Sequence, residues 1–84
     1  MSMALSNVDR VVKTVEQAVQ MRGPARMRLI NELRLLLMGL SNDELLDVVE
    51  RIDSLMGLNI LLGAGVPLVV QSAIAQKQAE LEKL

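Results

Sequence analysis

The chain has 84 residues with no Cys, no His and no aromatic residue, and its 9 Lys and Arg nearly balance its 10 Asp and Glu. Catalytic triads, thiol chemistry and the common zinc sites need His or Cys and are therefore excluded. A chain this short forms at most one domain, and without disulfides or metal its small core is reinforced by oligomerisation. We predict a single domain over 1–84 that is not an enzyme and holds no cofactor or metal.

The charges are segregated along the chain. Residues 22–34 carry one acid, Glu32, and four arginines that together form a basic block: Arg22, Arg26, Arg28 and Arg34. Residues 43–53 carry five acids and one Arg, and residues 54–76 carry no charge. A near-neutral total therefore conceals a basic, an acidic and an uncharged segment.

The first helix is predicted over 7–21. Ser6 and Asp9 have the spacing of a helix-capping pair, and Gly23-Pro24 separates this helix from the next. Valines recur at spacings of three and four along one narrow stripe, as in a short coiled-coil seam. We predict that four of them mediate association: Val8, Val12, Val15 and Val19.

The second and third helices are predicted over 24–38 and 42–56. The second is apolar around more than half of its girth, which favours a central position in a bundle or burial in an assembly. Ser41 and Glu44 form a full capping box at the start of the third, and Gly57 is its expected end. Antiparallel packing of these two helices would bring the basic and acidic segments together.

The remainder is predicted as a short apolar helix over 58–62, a Gly-rich break and a last helix over 67–83. The fold class is therefore all-α, with four or five short helices in a compact bundle completed by oligomerisation. Six apolar residues around the break are predicted to take part in association: Leu58, Leu61, Leu62, Val66, Val69 and Val70.

The uncharged segment also permits a membrane alternative. Its 23 residues exceed the roughly 20 that a helix needs to cross a bilayer. Its Gly, Pro, Asn and Gln residues and the absence of aromatic residues count against a span. Burial within a soluble oligomer is the favoured interpretation, with membrane insertion as the alternative.

The charged segments offer two further site hypotheses. The four arginines near a helix start could bind phosphate through free backbone N–H groups and guanidinium forks. The acids of the third helix, such as Asp43 with Asp47 or Asp47 with Glu50, could hold a divalent cation. The simpler interpretation of both segments is a solvated face or salt bridges between helices.

The sequence therefore predicts a non-enzymatic scaffold, adaptor or regulatory module that acts through protein–protein contacts and self-association. Its partner would be a second copy or a larger protein, in the cytoplasm, since the N-terminus shows no secretory signal. Two alternatives remain: a small membrane-associated or membrane-inserting protein, and a nucleic-acid-binding regulator that contacts phosphates.

Overall fold

The computed structural model describes residues 6–84, which form five helices and no strand. These helices are α1 (Asn7–Gln20), α2 (Pro24–Met38), α3 (Asn42–Arg51), α4 (Leu55–Ala64) and α5 (Leu68–Glu82). The predicted all-α class is confirmed, and the bounds predicted for the second helix agree with α2. The predicted completion by oligomerisation stays a prediction.

Two capping boxes start α1 and α3 as the sequence predicts. The Ser6 hydroxyl accepts from the Asp9 N–H at 3.1 Å, and the Asp9 carboxylate accepts from the Ser6 N–H at 3.4 Å. The reciprocal pair at α3 joins Ser41 and Glu44 at 3.2 and 3.0 Å. Each box supplies partners to N–H groups that the helix itself leaves unbonded.

The predicted third helix over 42–56 is wrong at its end. α3 stops at Arg51, Ile52 is extended, and Ser54 caps a new helix by accepting from the Gly57 N–H at 2.9 Å. Gly57 is therefore a buried residue of the first turn of α4, not a helix stop. The apolar helix predicted over 58–62 is correspondingly longer, since α4 runs from Leu55 to Ala64.

The helices pack around α1, which contacts α2, α3 and α4, whereas α5 packs against α3 and α4. α2 packs against α1 and α4 and lies at the edge of the bundle, so its predicted central position is wrong. The predicted antiparallel packing of α2 along α3 is absent as well. Between residues 6 and 84 the salt bridges are Arg51 to Asp9 and Lys77 to Asp53, and neither joins the arginines of α2 to the acids of α3.

Lys77 ties α5 to the end of α3. Its ammonium group donates to the carbonyl of Val49 at 3.0 Å, to the carbonyl of Glu50 and to the carboxylate of Asp53 at 3.4 Å. The last carbonyls of a helix have no partner within the helix, and cations are favoured at that end by the helix dipole. One side chain from α5 therefore caps α3 and fixes the position of both helices.

A second charged contact joins the start of α1 to the end of α3. The Arg51 guanidinium lies 2.9 Å from the Asp9 carboxylate. The hydrogen bond from Arg51 and then that from Ser6 lower the pKa of Asp9 from its ordinary value of 3.8.

The space around Gly57 and the space around Gly63 predict that substitution by Ala has opposite effects on stability at the two positions. A Cβ at Gly57 would lie 2.8 Å from Ile52 Cγ2 and 3.3 Å from Val15 Cγ1, whereas a Cβ at Gly63 would meet nothing within 4 Å. Gly57→Ala should lower the free energy of unfolding by about 1–3 kcal/mol through overpacking. Gly63→Ala should raise it by about 0.5–1 kcal/mol because Ala is the better helix former. Chemical denaturation measures both, and equal effects would contradict this packing.

The Asp9 contact predicts an acid-dependent part of the stability. Because its pKa is lower in the folded chain than the ordinary value of 3.8, ionised Asp9 stabilises the fold above that value. This contribution is lost as the pH falls through the lower folded pKa. Asp9→Asn should reduce the stability at neutral pH and flatten its decline below about pH 4. Arg51→Met should raise the pH at which the stability declines, toward the ordinary pKa of Asp9. If both variants keep the wild-type dependence of stability on pH, the role assigned to the Asp9–Arg51 contact is refuted.

Candidate functional site

Most residues predicted to mediate association lie in the core of the chain itself. Seven of the ten are buried: Val8, Val12, Val15, Leu58, Leu61, Val66 and Val70. Val19 is half-buried, and only Leu62 and Val69 are exposed. The role of the ten in association stays a prediction, and in this fold the seven buried residues offer little free surface to a partner.

The methionines are distributed in the opposite way. The buried hydrophobic side chains are all Val, Leu, Ile or Ala, whereas each methionine within residues 6–84 is exposed: Met21, Met27, Met38 and Met56. Three of these four methionines line two neighbouring cavities along α2. The cavities along α2 therefore hold three exposed methionines, whereas other exposed apolar side chains, such as Leu68, Val69 and Leu84, lie elsewhere on the surface.

The first cavity lies between α2 and α4 and has a volume of about 320 Å³. Its apolar wall includes Met27 and Ile30 of α2 and Met56 and Ile60 of α4. Its other lining residues are Arg26, Arg34, Asn59 and Gly63. Two guanidinium groups and no carboxylate therefore lie around this apolar space.

The second cavity lies beside the end of α2, between it and the connection from α4 to α5, and has a volume of about 380 Å³. Its lining carries no charge: Leu37, Met38, Leu40, Leu45, Gly65, Val66 and Pro67. Residues 26 to 38 of α2 contribute to the two cavities at helical spacing, which corresponds to a length of about 18 Å. We name the surface formed by both sets of lining residues the α2/α4 groove.

Arg26, one of the four predicted anion-binding residues, caps the end of α1. Its Nε donates to the carbonyl of Ala18 at 3.0 Å, and its Nη2 donates to the carbonyl of Val19 at 3.4 Å. The same Nη2 lies 3.6 Å from the sulfur of Met56. One side chain of α2 therefore contacts both α1 and α4 and fixes the end of the groove that it lines.

The four arginines of the predicted anion site do not line one pocket. Arg26 and Arg34 line the same cavity, and Nη1 of Arg34 donates to the amide oxygen of Asn31 at 3.4 Å. Arg22 is exposed in the connection between α1 and α2, and Arg28 is exposed on α2 outside the cavity lining. The structure brings together two of the four.

The acidic segment and the uncharged segment are also placed by the fold. Within residues 6–84 no group of three or more acidic side chains could hold a metal ion. The uncharged segment is divided between α4 and the first part of α5, with Gly65 and Pro67 between the two helices. In the same part of the chain, no helix has the length and apolar character needed to cross a membrane.

The apolar surplus of α2 is the signal in the sequence that corresponds to the groove. α2 has more apolar residues than an edge helix can bury, and Met27, Leu35 and Met38 are all exposed. This surplus predicts either a central position in a bundle or burial in an assembly; the central position is wrong, and burial in an assembly stays a prediction. The two interpretations give the same pattern in sequence and differ only in which helices pack against α2.

Comparison with known protein families gave no match for this chain, and comparison with curated proteins and with solved structures gave none either.

The contacts of Arg26 predict a larger stabilising role than those of Arg28. Arg26→Met removes the donor for two carbonyls at the end of α1 and should lower the free energy of unfolding by about 1–2 kcal/mol. Arg28→Met is the matched control, since Arg28 is exposed on the same helix. It should change the stability by no more than about 0.5 kcal/mol. Equal losses in thermal or chemical denaturation would refute the capping role.

Proposed function

We propose that this chain is a non-enzymatic helical adaptor or regulatory module that acts through protein–protein contacts, and that the α2/α4 groove is its contact surface. The observation that carries the proposal is the exposure of all methionines in residues 6–84, three of them in the groove. Fully burying a Met side chain contributes about 1.5–3 kcal/mol. Met27, Met38 and Met56 are already partly buried, so a partner that covers the groove gains the remaining part of this contribution at each of them.

The chemistry of methionine suits such a surface. Its unbranched, polarisable side chain adapts to irregular shapes and is common at binding surfaces that accept varied partners. Met27 is 53 % exposed, Met56 48 % and Met38 82 %. The core, by contrast, is built from side chains with well-defined rotamers. The rigid interior and the adaptable exterior support a scaffold that presents a contact surface.

Gly63, which lines the groove on the α4 side, is a second feature that supports the groove as a contact surface. A Gly inside a helix is less stable than Ala by about 0.5–1 kcal/mol. At Gly63 a Cβ would meet nothing within 4 Å, so packing within the chain does not require Gly. Gly63 lines the first cavity, where a missing side chain leaves the wall open. Close approach of a partner is a physical reason for Gly at this position.

Site-specific photocrosslinking tests the proposal in cells that naturally express the chain. A photoreactive amino acid placed at Met27 or at Met38 lies in the groove, and the same residue at Gln20 or at Glu82 is exposed outside its lining. We expect protein adducts from the two groove positions and few from the controls. The thermal stability of each variant shows that the fold is retained.

The mass and nature of the adducts separate the functions that the sequence left open. A discrete adduct with another protein supports the proposal, and an adduct of twice the chain mass identifies the predicted self-association. Adducts mainly with lipid or nucleic acid would favour the two alternatives and contradict the proposal. Equal yields at groove and control positions, or no adduct at any position, would also contradict it.

A further inference from the structure

We propose that Met56 is a site of reversible oxidation by a peroxide, and that the guanidinium of Arg26 binds the sulfoxide that forms. Oxidation then makes the wall of the first cavity polar, and the fold is retained. The control of the α2/α4 groove by this modification rests on the proposed function, whereas the chemistry at Met56 does not. Three observations carry the proposal: the oxidisable residues of the chain, the position of its methionines, and the contact of the Met56 sulfur.

Methionine is the sulfur-containing residue of this chain that a peroxide can oxidise, since the sequence has six Met and no Cys. The sulfur gives an electron pair to one peroxide oxygen, the O–O bond breaks, and the products are the sulfoxide and water. Sulfur is thereby oxidised by two electrons and the peroxide is reduced by two. Methionine sulfoxide reductases reverse the step, with two thiols as the reductant and a disulfide and water as the products.

The position of the methionines allows oxidation without damage to the core. The buried hydrophobic side chains are Val, Leu, Ile and Ala, whereas the four methionines of residues 6–84 are all exposed. A sulfoxide inside a core disrupts it, because a polar group replaces apolar contacts. Here the polar group forms at the surface, and Met27 and Met56 share the first cavity. Oxidation therefore changes the chemistry of the groove rather than that of the interior.

Met56 differs from the other methionines because its sulfur has a hydrogen-bond donor. Nη2 of Arg26 donates to this sulfur across 3.6 Å, and no other methionine sulfur in residues 6–84 accepts a hydrogen bond. The carbonyls of Ala18 and Val19 hold the guanidinium in place. A thioether sulfur is a weak acceptor, whereas an oxygen that accepts from a charged donor forms a strong hydrogen bond. The fold therefore places a donor where the oxidised side chain needs one.

The Met56 side chain is open enough to react and to turn afterwards. It is roughly half exposed, so its second lone pair faces solvent while the first accepts from Arg26. Methionine has three rotatable bonds, and rotation about them brings the new oxygen to the guanidinium. Met38 is more exposed and lies in the uncharged cavity, so its sulfoxide is bound by water alone. Met38 is therefore the matched comparison within the same groove.

Two variants separate the reaction at Met56 from that at Met38. The first keeps Met56 and carries Met3→Leu, Met21→Leu, Met27→Leu and Met38→Leu. The second keeps Met38 and carries Met56→Leu together with the first three of these changes. Exchange of Met for Leu conserves volume, so both variants should fold, which thermal denaturation verifies. Hydrogen peroxide is the oxidant, and peptide mapping by mass spectrometry shows which methionine has gained one oxygen.

The side-chain N–H signals of Arg26 in the ¹⁵N NMR spectrum report on the contact. We expect oxidation of the Met56 variant to shift these signals, because the guanidinium gains a stronger acceptor. Oxidation of the Met38 variant should leave them in place, since Met38 lines the other cavity. Methionine sulfoxide reductases with dithiothreitol should restore the first spectrum. No shift, an equal shift in both variants, or a sulfoxide that persists after this treatment would overturn the proposal.

Thermal denaturation tests whether Arg26 preserves the fold after oxidation. Oxidation should change the melting temperature of the Met56 variant by less than about 2 °C, and should lower it by about 4 °C or more when Arg26→Leu is added. Arg28→Leu is the matched control, because Arg28 is exposed on the same helix, and its response should equal that of the Met56 variant. Equal responses with and without Arg26, or unfolding of the Met56 variant, would contradict the contact. If Arg26→Leu does not fold, the NMR spectrum decides.

Photocrosslinking separates control of the groove from the proposed function. The photoreactive amino acid replaces Met27 in a chain with Met38→Leu, and cells are treated with peroxide in the presence of Met56 or of Met56→Leu. The yield of protein adduct should fall only where Met56 is present. An unchanged yield, or an equal fall in both chains, overturns the control of the groove and leaves the proposed function standing. Without any groove adduct in untreated cells the proposed function fails, and the spectrum of the purified chain still decides the chemistry at Met56.

Discussion

The ends of α1 and α3 are each held by a cation that belongs to a different helix, and the arrangement of the bundle depends on these two contacts. Arg26 of α2 bonds to the carbonyls of Ala18 and Val19, and Lys77 of α5 bonds to those of Val49 and Glu50. Both helices end in an extended residue, so neither has a glycine to close its last turn. The cations replace that closure and fix α2 on α1 and α5 on α3.

The contact made by Arg26 also sets the geometry of the α2/α4 groove. Because the guanidinium reaches both the end of α1 and the sulfur of Met56, the start of α2 is held beside α4. The far end of the groove is bounded by Gly65 and Pro67 in the connection between α4 and α5. A contact surface fixed at both ends loses less conformational entropy on binding than one that must first be ordered.

Local chemistry made several parts of this fold predictable, and contacts between distant residues explain where prediction ended. The capping residues Ser6 and Ser41 lie within one turn of their partners, so the starts of α1 and α3 follow from sequence spacing alone. The valine stripe of α1 was correctly recognised as an apolar face, but the sequence does not say whether such a face meets the same chain or another one. The prediction for Gly57 is wrong because Gly ends many helices, whereas here Ser54 caps a new helix three residues earlier. A Cβ at Gly57 would also lie 3.3 Å from Val15, which is 42 residues away in the chain. The groove depends on which neighbours α2 has, and that is a property of the whole fold.

The core and the groove meet different physical requirements, and this difference is the strongest link between the structure and a role in binding. A chain selected for stability alone would gain from Ala at Gly63 and from polar residues at Leu35 and Met38, which are 73 % and 82 % exposed. The chain instead keeps a helix-weakening residue at Gly63 and a large apolar side chain at Met38 in the groove, and another at Leu35 outside its lining. The interior of residues 6–84, by contrast, has no buried side-chain polar group left unbonded. Met27, Met38, Met56 and Gly63 line the groove, and none of the four is required there by packing within the chain, so a partner that covered the groove would bury surface that the isolated fold leaves exposed.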